Sequence, residues 1–223
     1  MAEPLLNIKN YSVKAKDKTL VHNINLAIQK GEFVAITGPS GTGKSTLLKG
    51  IVELLDTNLT TEGDILYKGK SVTKYDPIEL RQAITYTVQS PQLFGRTVRD
   101  NLKFPYDIRD QAFNEDRAIQ TLQNVGLNKS FLDKSIDTLS GGEKQRGALI
   151  RNVQFTPDIL LLDEVTSALD KPTREAIWKW LADYQSEHDT TILMISHLEE
   201  EQALTDRVFN IQALDQSKED DNE

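Results

Sequence analysis

Short apolar runs alternate along this chain with longer stretches whose apolar residues return every three or four positions, the pattern of strands layered against helices. The runs predict strands over Leu5–Val13, Leu20–Ile28, Phe33–Thr37, Gly63–Tyr67, Ile84–Val88, Ile159–Asp163, Thr191–Ser196 and Val208–Ile211. Polar KAKDKT separates the first two, so they read as an antiparallel hairpin. The runs beginning at Phe33, Ile159 and Thr191 are too continuously apolar to alternate, as expected of parallel strands covered on both faces.

Between Ser90 and about Phe155 the strand signal stops, and Val98–Lys103, Asp110–Val125 and Gly142–Phe155 carry helical spacing instead. In the second stretch Ala112, Phe113, Ala118, Ile119, Leu122 and Val125 mark one helix face. Asn124-Val125-Gly126 supplies its stop, because glycine takes the left-handed conformation freely. The pattern therefore predicts helices inserted into a strand-rich core. Trp178 and Trp180 stand two apart on a further predicted helix, where they cannot share a face, and read as packing or subunit contact.

Composition narrows the function classes. A chain of 223 residues holds one α/β domain with an inserted subdomain and buries roughly 70% of its unfolded surface. The longest apolar runs, such as Ile159 to Leu162, are four residues against the ~20 that cross a bilayer, so no span is expected. MAEPLLNIKN has neither a basic start with an apolar stretch nor an Arg-rich amphipathic pattern, and a cytosolic location is expected. The absence of cysteine excludes disulfides and thiolate metal sites, and His22, His188 and His197 are not at ligand spacing. A net charge of −8 argues against a protein built to grip nucleic-acid backbone. Part of it lies in the tail SKEDDNE, expected to be a solvated terminus.

Three motifs carry chemistry. GPSGTGKS spans Gly38, Pro39, Ser40, Gly41, Thr42, Gly43, Lys44 and Ser45, between the apolar run FVAIT and the helical TLLKGIVELL that starts at Thr46. Its glycines let backbone amides curl inward around phosphates, a helix N-terminus adds its dipole, Lys44 reaches the β- and γ-phosphates, and the Ser45 hydroxyl can ligate Mg²⁺. Asp163, ending ILLLD, stands where a carboxylate can hold the metal's water shell, and Glu164 follows where a second can polarise an attacking water. In LSGGEKQR, Ser140 is a natural helix N-cap, and Gly141 and Gly142 expose the first free amides of the next helix, a second anion site on one chain.

The order of these motifs resembles the ATP-binding cassette (ABC) ATPases over essentially the whole chain, and most closely the bacterial subunits described as iron exporters. The resemblance implies an α/β fold with a P-loop NTPase, RecA-like core, an antiparallel β subdomain and an inserted α-helical subdomain. It implies a single domain over 1–215, with 1–89 and 156–215 forming the core, 90–155 the helical signature subdomain, and 216–223 a disordered acidic tail. It further implies ATP and Mg²⁺ as cofactors, with Gln89 approaching metal and water, the SALD loop ending at Asp170 crossing a dimer interface, His197 as the switch histidine, Tyr11 stacking on adenine, and Glu143 within the signature, where many members carry glutamine. Catalysis falls to Glu164, His197, Gln89 and Lys44, and metal binding to Ser45, Gln89 and Asp163. The expected partners are a second copy in the ATP-bound state and a separate integral-membrane permease receiving Ser90–Pro105, with the chain peripheral on the inner face of the membrane. A soluble cassette acting on DNA or ribosomes is the alternative, but the chain has neither the long coiled coil nor the second cassette of such members.

Overall fold

A computed structural model describes residues 3–16, 18–90 and 92–212. The acidic tail at 216–223 and the last residues of the expected domain, 213–215, lie outside the described residues. Among the described residues, nine strands and seven α-helices follow in the order β1 (Leu6–Ala15), β2 (Lys18–Ile28), β3 (Phe33–Thr37), α1 (Lys44–Ile51), β4 (Leu59–Tyr67), β5 (Lys70–Ser71), α2 (Pro77–Ala83), β6 (Ile84–Thr87), α3 (Val98–Asp107), α4 (Glu115–Asn124), α5 (Gly141–Arg151), β7 (Ile159–Asp163), α6 (Lys171–His188), β8 (Thr191–Ile195), α7 (Glu199–Gln202) and β9 (Arg207–Asn210).

They form two sheets. β2-β1-β4-β5 is antiparallel and contains the expected hairpin; β6-β7-β8-β3-β9 is parallel throughout. The continuous apolar runs have the predicted cause, since each of these strands divides its side chains between two cores. Val34, Ile36, Ile159, Leu161, Leu193 and Ile195 join one core with α1 and the antiparallel sheet. Phe33, Leu160, Leu162, Ile192 and Met194 join the other, with residues of α3 to α6. Each such side chain, fully buried, contributes about 1.5–3 kcal/mol, and a one-residue slip would exchange the two cores. Trp178 and Trp180 are both buried, so they serve packing.

Between β6 and β7 the regular structure among the described residues is helical, apart from a single bridge between Thr97 and Ser135. The expected helix over 110–125 begins only at Glu115: Asp110 has a φ of 50°, and Asn114 caps the start by accepting from the Arg117 amide. Ala112 and Phe113 therefore belong to the approach, not to the helix. Several pieces escaped the pattern, β5 and α7 among them. α2 is short and announced only by Asp76-Pro77, an N-cap followed by a first-turn proline, and the start of β4, Leu59–Glu62, exposed from Thr60 on, is held by pairing with β1 at Ser12–Ala15.

Candidate active site

The strand order places the carboxyl ends of β6, β7, β8 and β3 side by side, where parallel sheets open a crevice for ligands. The loop after β3 is GPSGTGKS. Gly38, with φ 138°, passes so close to β9's end that a side chain there would meet the Ile211 carbonyl at 2.2 Å. Gly43, φ 81°, is the N-cap of α1 and abuts the Leu20 carbonyl of β2 equally closely. Both sites combine a backbone that L side chains rarely adopt with no room for one. Lys44 folds back over the loop and donates to the carbonyls of Gly38 at 2.9 Å and Pro39 at 2.8 Å, while Thr42 donates to Pro39 at 2.9 Å. Burial lowers the Lys44 pKa, and the nearby Glu164 and Asp163 carboxylates oppose that shift. Pro39, Ser40 and Gly41 are exposed, and Thr46 is half-buried on the first turn of α1.

The carboxylates close the crevice. Ser45 Oγ donates to Asp163 Oδ1 at 2.9 Å, and the other oxygen of Asp163 accepts from the Tyr86 hydroxyl at 2.6 Å. Glu164 holds a φ of 50°, a conformation costing a non-glycine residue about 1–3 kcal/mol. From there its carboxylate meets Gln89 Nε2 at 2.8 Å and His197 Nε2 at 3.0 Å. Residues past the ends of β6 and β8 thus converge on the one carboxylate that follows β7, which still reaches solvent.

LSGGEKQR stands apart from this cluster. Ser140 caps α5 in a reciprocal capping box, its hydroxyl accepting from the Glu143 amide at 3.3 Å and its own amide donating to Glu143 Oε2 at 2.7 Å. Glu143 is bound within its own chain, with Lys134 Nζ on the other oxygen at 3.0 Å. The Ser140 amide, then the Lys134 ammonium, hold its carboxyl below the ordinary value. Gly141 faces open space. Gly142 lies against Leu169, whose Cδ2 is 3.1 Å from where a side chain on Gly142 would begin. Asp170 caps α6, accepting from the Thr173 amide at 3.1 Å and hydroxyl at 2.9 Å.

Tyr11 corrects the reading of it as an adenine platform. It is 5% exposed, belongs to the core under the antiparallel sheet, and its hydroxyl lies 2.5 Å from the position a Gly50 side chain would take on α1. The register explains this: Tyr11 pairs with Ile24 in mid-strand, well before the β1–β2 turn, and burial pushes its phenol up to about 12. Pattern reading also missed Tyr86, Asn152 and Glu201. The first is an aromatic three positions before Gln89, the only signal it left in the sequence. Asn152 donates to the Thr87 hydroxyl at 2.5 Å.

A glycine-rich loop at a parallel sheet's carboxyl edge, facing paired carboxylates and followed by a second glycine-led helix start, defines the class as a P-loop ATPase. The family model described as ABC transporter matches residues 21–167. The Probable iron export ATP-binding protein FetA of Escherichia coli (strain K12) is 42% identical over 94% of this chain and 92% of its own. The choline transport ATP-binding protein OpuBA of Bacillus subtilis (strain 168) is 33% identical over 94% of this chain and 55% of its own. Among solved structures, an ATP-bound bacterial Atm1-family ABC exporter superimposes with a TM-score of 0.84 at 26% identity over 95% of this chain, which spans 38% of the exporter's. The ATP-binding cassette MJ0796, in a dimeric post-hydrolysis state with ADP and Pi, gives 0.82 at 29% identity over 92% of this chain and 94% of its own. The chain belongs to the ABC transporter family and is an ATP-hydrolysing cassette.

Proposed function

We propose that this cassette energises transport through a separate integral-membrane permease, and that two copies close head to tail around ATP. The observation that carries the transport reading is an apolar groove of about 540 Å³ between α2 and β6 on one side and α3 with the end of α5 on the other. Exposed Leu54, Ile78, Phe94, Phe104 and Ile108 line it, an apolar concentration that soluble surfaces usually hide. No helix among the described residues is long and apolar enough to cross a membrane, so the spans would come from the partner and the cassette would sit on the inner face of the membrane. Metal export, with iron as cargo, is supported by the FetA likeness, which covers nearly all of both chains.

In the ATPase cycle Lys44 would exchange its two carbonyl partners for phosphate oxygens. The hydroxyl and carboxylate of Ser45 and Asp163, 2.9 Å apart, are hard oxygen donors that fit Mg²⁺ as it accompanies a nucleotide, with Gln89 bonded to the adjoining Glu164. Bound Mg²⁺ would neutralise charge on the phosphates. Glu164 is the general base for the attacking water, and His197 and Gln89 hold its carboxylate in place. Ser140, Gly141 and Gly142 would act on the ATP held by the other copy, because only there does the second anion element find a ligand.

Glu164→Gln is expected to slow hydrolysis roughly 10²–10⁴-fold with nucleotide binding retained, and to accumulate an ATP-bound dimer on gel filtration. A variant that hydrolyses at the parental rate would overturn the assignment. Recovery of the tagged chain from membranes with a multi-span protein, and iron-dependent stimulation of ATPase activity in the reconstituted pair, tests partner and cargo together.

A further inference from the structure

Glu201 is a charged residue that the site as described does not use. It lies on α7 and is 3% exposed. One oxygen accepts from the Thr166 hydroxyl and from Trp178 Nε1, the latter at 2.9 Å, and the other accepts from the Ser196 hydroxyl. All three donors are neutral, so the carboxylate is held by hydrogen bonding alone, and its loss would strand them in the interior.

The donors' positions in the chain are what matter. Ser196 immediately precedes His197, and Thr166 follows Glu164 by two residues. These are the two neighbours that meet each other at 3.0 Å. Thr166 also opens the turn that reaches α5: its carbonyl accepts from the Leu169 amide at 3.1 Å, and Leu169 packs on Gly142. One buried carboxylate therefore ties together the His197 turn, the strained Glu164 turn and the segment that touches the signature helix. Trp178 anchors it from α6.

We propose that Glu201 is a positioning residue for hydrolysis: it fixes the two turns so that His197 and Glu164 meet correctly, and links that geometry to the Leu169–Gly142 contact. The proposal rests on the reading of Glu164 and His197 given above. It predicts that Glu201→Ala lowers kcat at least tenfold while the Kd for ATP changes less than twofold. Glu201→Gln, which keeps an acceptor for Thr166 and Trp178 and whose amide the Ser196 hydroxyl can accept, is expected to restore kcat to within threefold of the parent. A merely structural staple would lower the melting temperature of Glu201→Ala and leave turnover of the folded protein, assayed well below melting, unchanged.

In a His197→Ala background the Glu201→Ala loss is expected to shrink below threefold, since both changes disturb one geometry. Folded Glu201→Ala with kcat within twofold of the parent, or a full multiplicative loss in the double variant, overturns the proposal. Should Glu201→Ala fail to fold, Thr166→Val removes a single donor and is read by the same two constants, with at least a fivefold fall in kcat expected and none overturning it. Glu164→Gln is assayed alongside. If it hydrolyses normally, the reading of the site has failed; if it is inactive while Glu201→Ala turns over normally, only the role of Glu201 has.

Discussion

A ring that stacks on a base needs one open face, and Tyr11 has none. Tyr11→Leu is therefore expected to cost about 1–3 kcal/mol of stability through lost burial and a residual cavity, seen as an earlier denaturation midpoint, with the Kd for ATP unchanged. Loss of a stacking partner would instead weaken nucleotide binding by about 1–3 kcal/mol, so equilibrium titration with ATP separates the two. Single residues were legible where their chemistry depends on neighbours in the chain. Lys44 and Ser45 follow from a contiguous loop, and the pair Asp163-Glu164 from the end of one strand. Tyr11 was misread and Tyr86 and Glu201 were overlooked because their surroundings are set by residues 13 to 77 positions away: Ile24 across the hairpin, Asp163 beyond the helical insertion, and Thr166 before α6.

Among the elements, α5 begins on the reciprocal bonds of Ser140 and Glu143. The Glu143 carboxyl lies below its ordinary 4.5 because the Ser140 amide and Lys134 favour the charged form. A group depressed in the folded state stabilises above the unfolded value and loses that contribution as pH falls through the folded one. Glu143→Ala should therefore cost about 0.3–1 kcal/mol near neutrality, measured as a melting-temperature difference from the parent that shrinks progressively below pH 4.5. A difference that stayed constant down to pH 3 would mean that the carboxylate contributes nothing to the cap. This start was readable in the sequence because capping is local. The start of α4 was not: Ala112 and Phe113 fit the helical period, yet the positive φ at Asp110 and the Asn114 cap set the helix later. Both parallel and antiparallel sheets were legible from apolar runs, whereas Thr60, Thr61 and Glu62 near the start of β4 are polar and owe their conformation to the partner strand.

Across the whole molecule, the apolar groove and the nucleotide crevice share a wall. Tyr86 lines the groove, and its hydroxyl bonds the Asp163 carboxylate at 2.6 Å; Asn152, also in the groove, holds the Thr87 hydroxyl next to it. A partner segment pressed into the groove would bear on β6, and two residues past its end Gln89 bonds Glu164. The groove's chemistry also limits what fits. Phe94 and Phe104 meet edge to face at 4.9 Å, and the Arg151 guanidinium stands 5.4 Å from the Phe94 centroid. An apolar helix face flanked by a carboxylate would satisfy both features. Ile78 is 63% exposed on the groove's α2 side and is not among the residues that build the crevice. Ile78→Asp forfeits about 1.5–3 kcal/mol of burial in the docked state, a loss of roughly 10- to 100-fold in partner affinity. The expected outcome is poor recovery of the membrane partner with the variant, with ATP affinity and melting temperature close to the parent's. Undiminished recovery would place the docking surface elsewhere on the cassette.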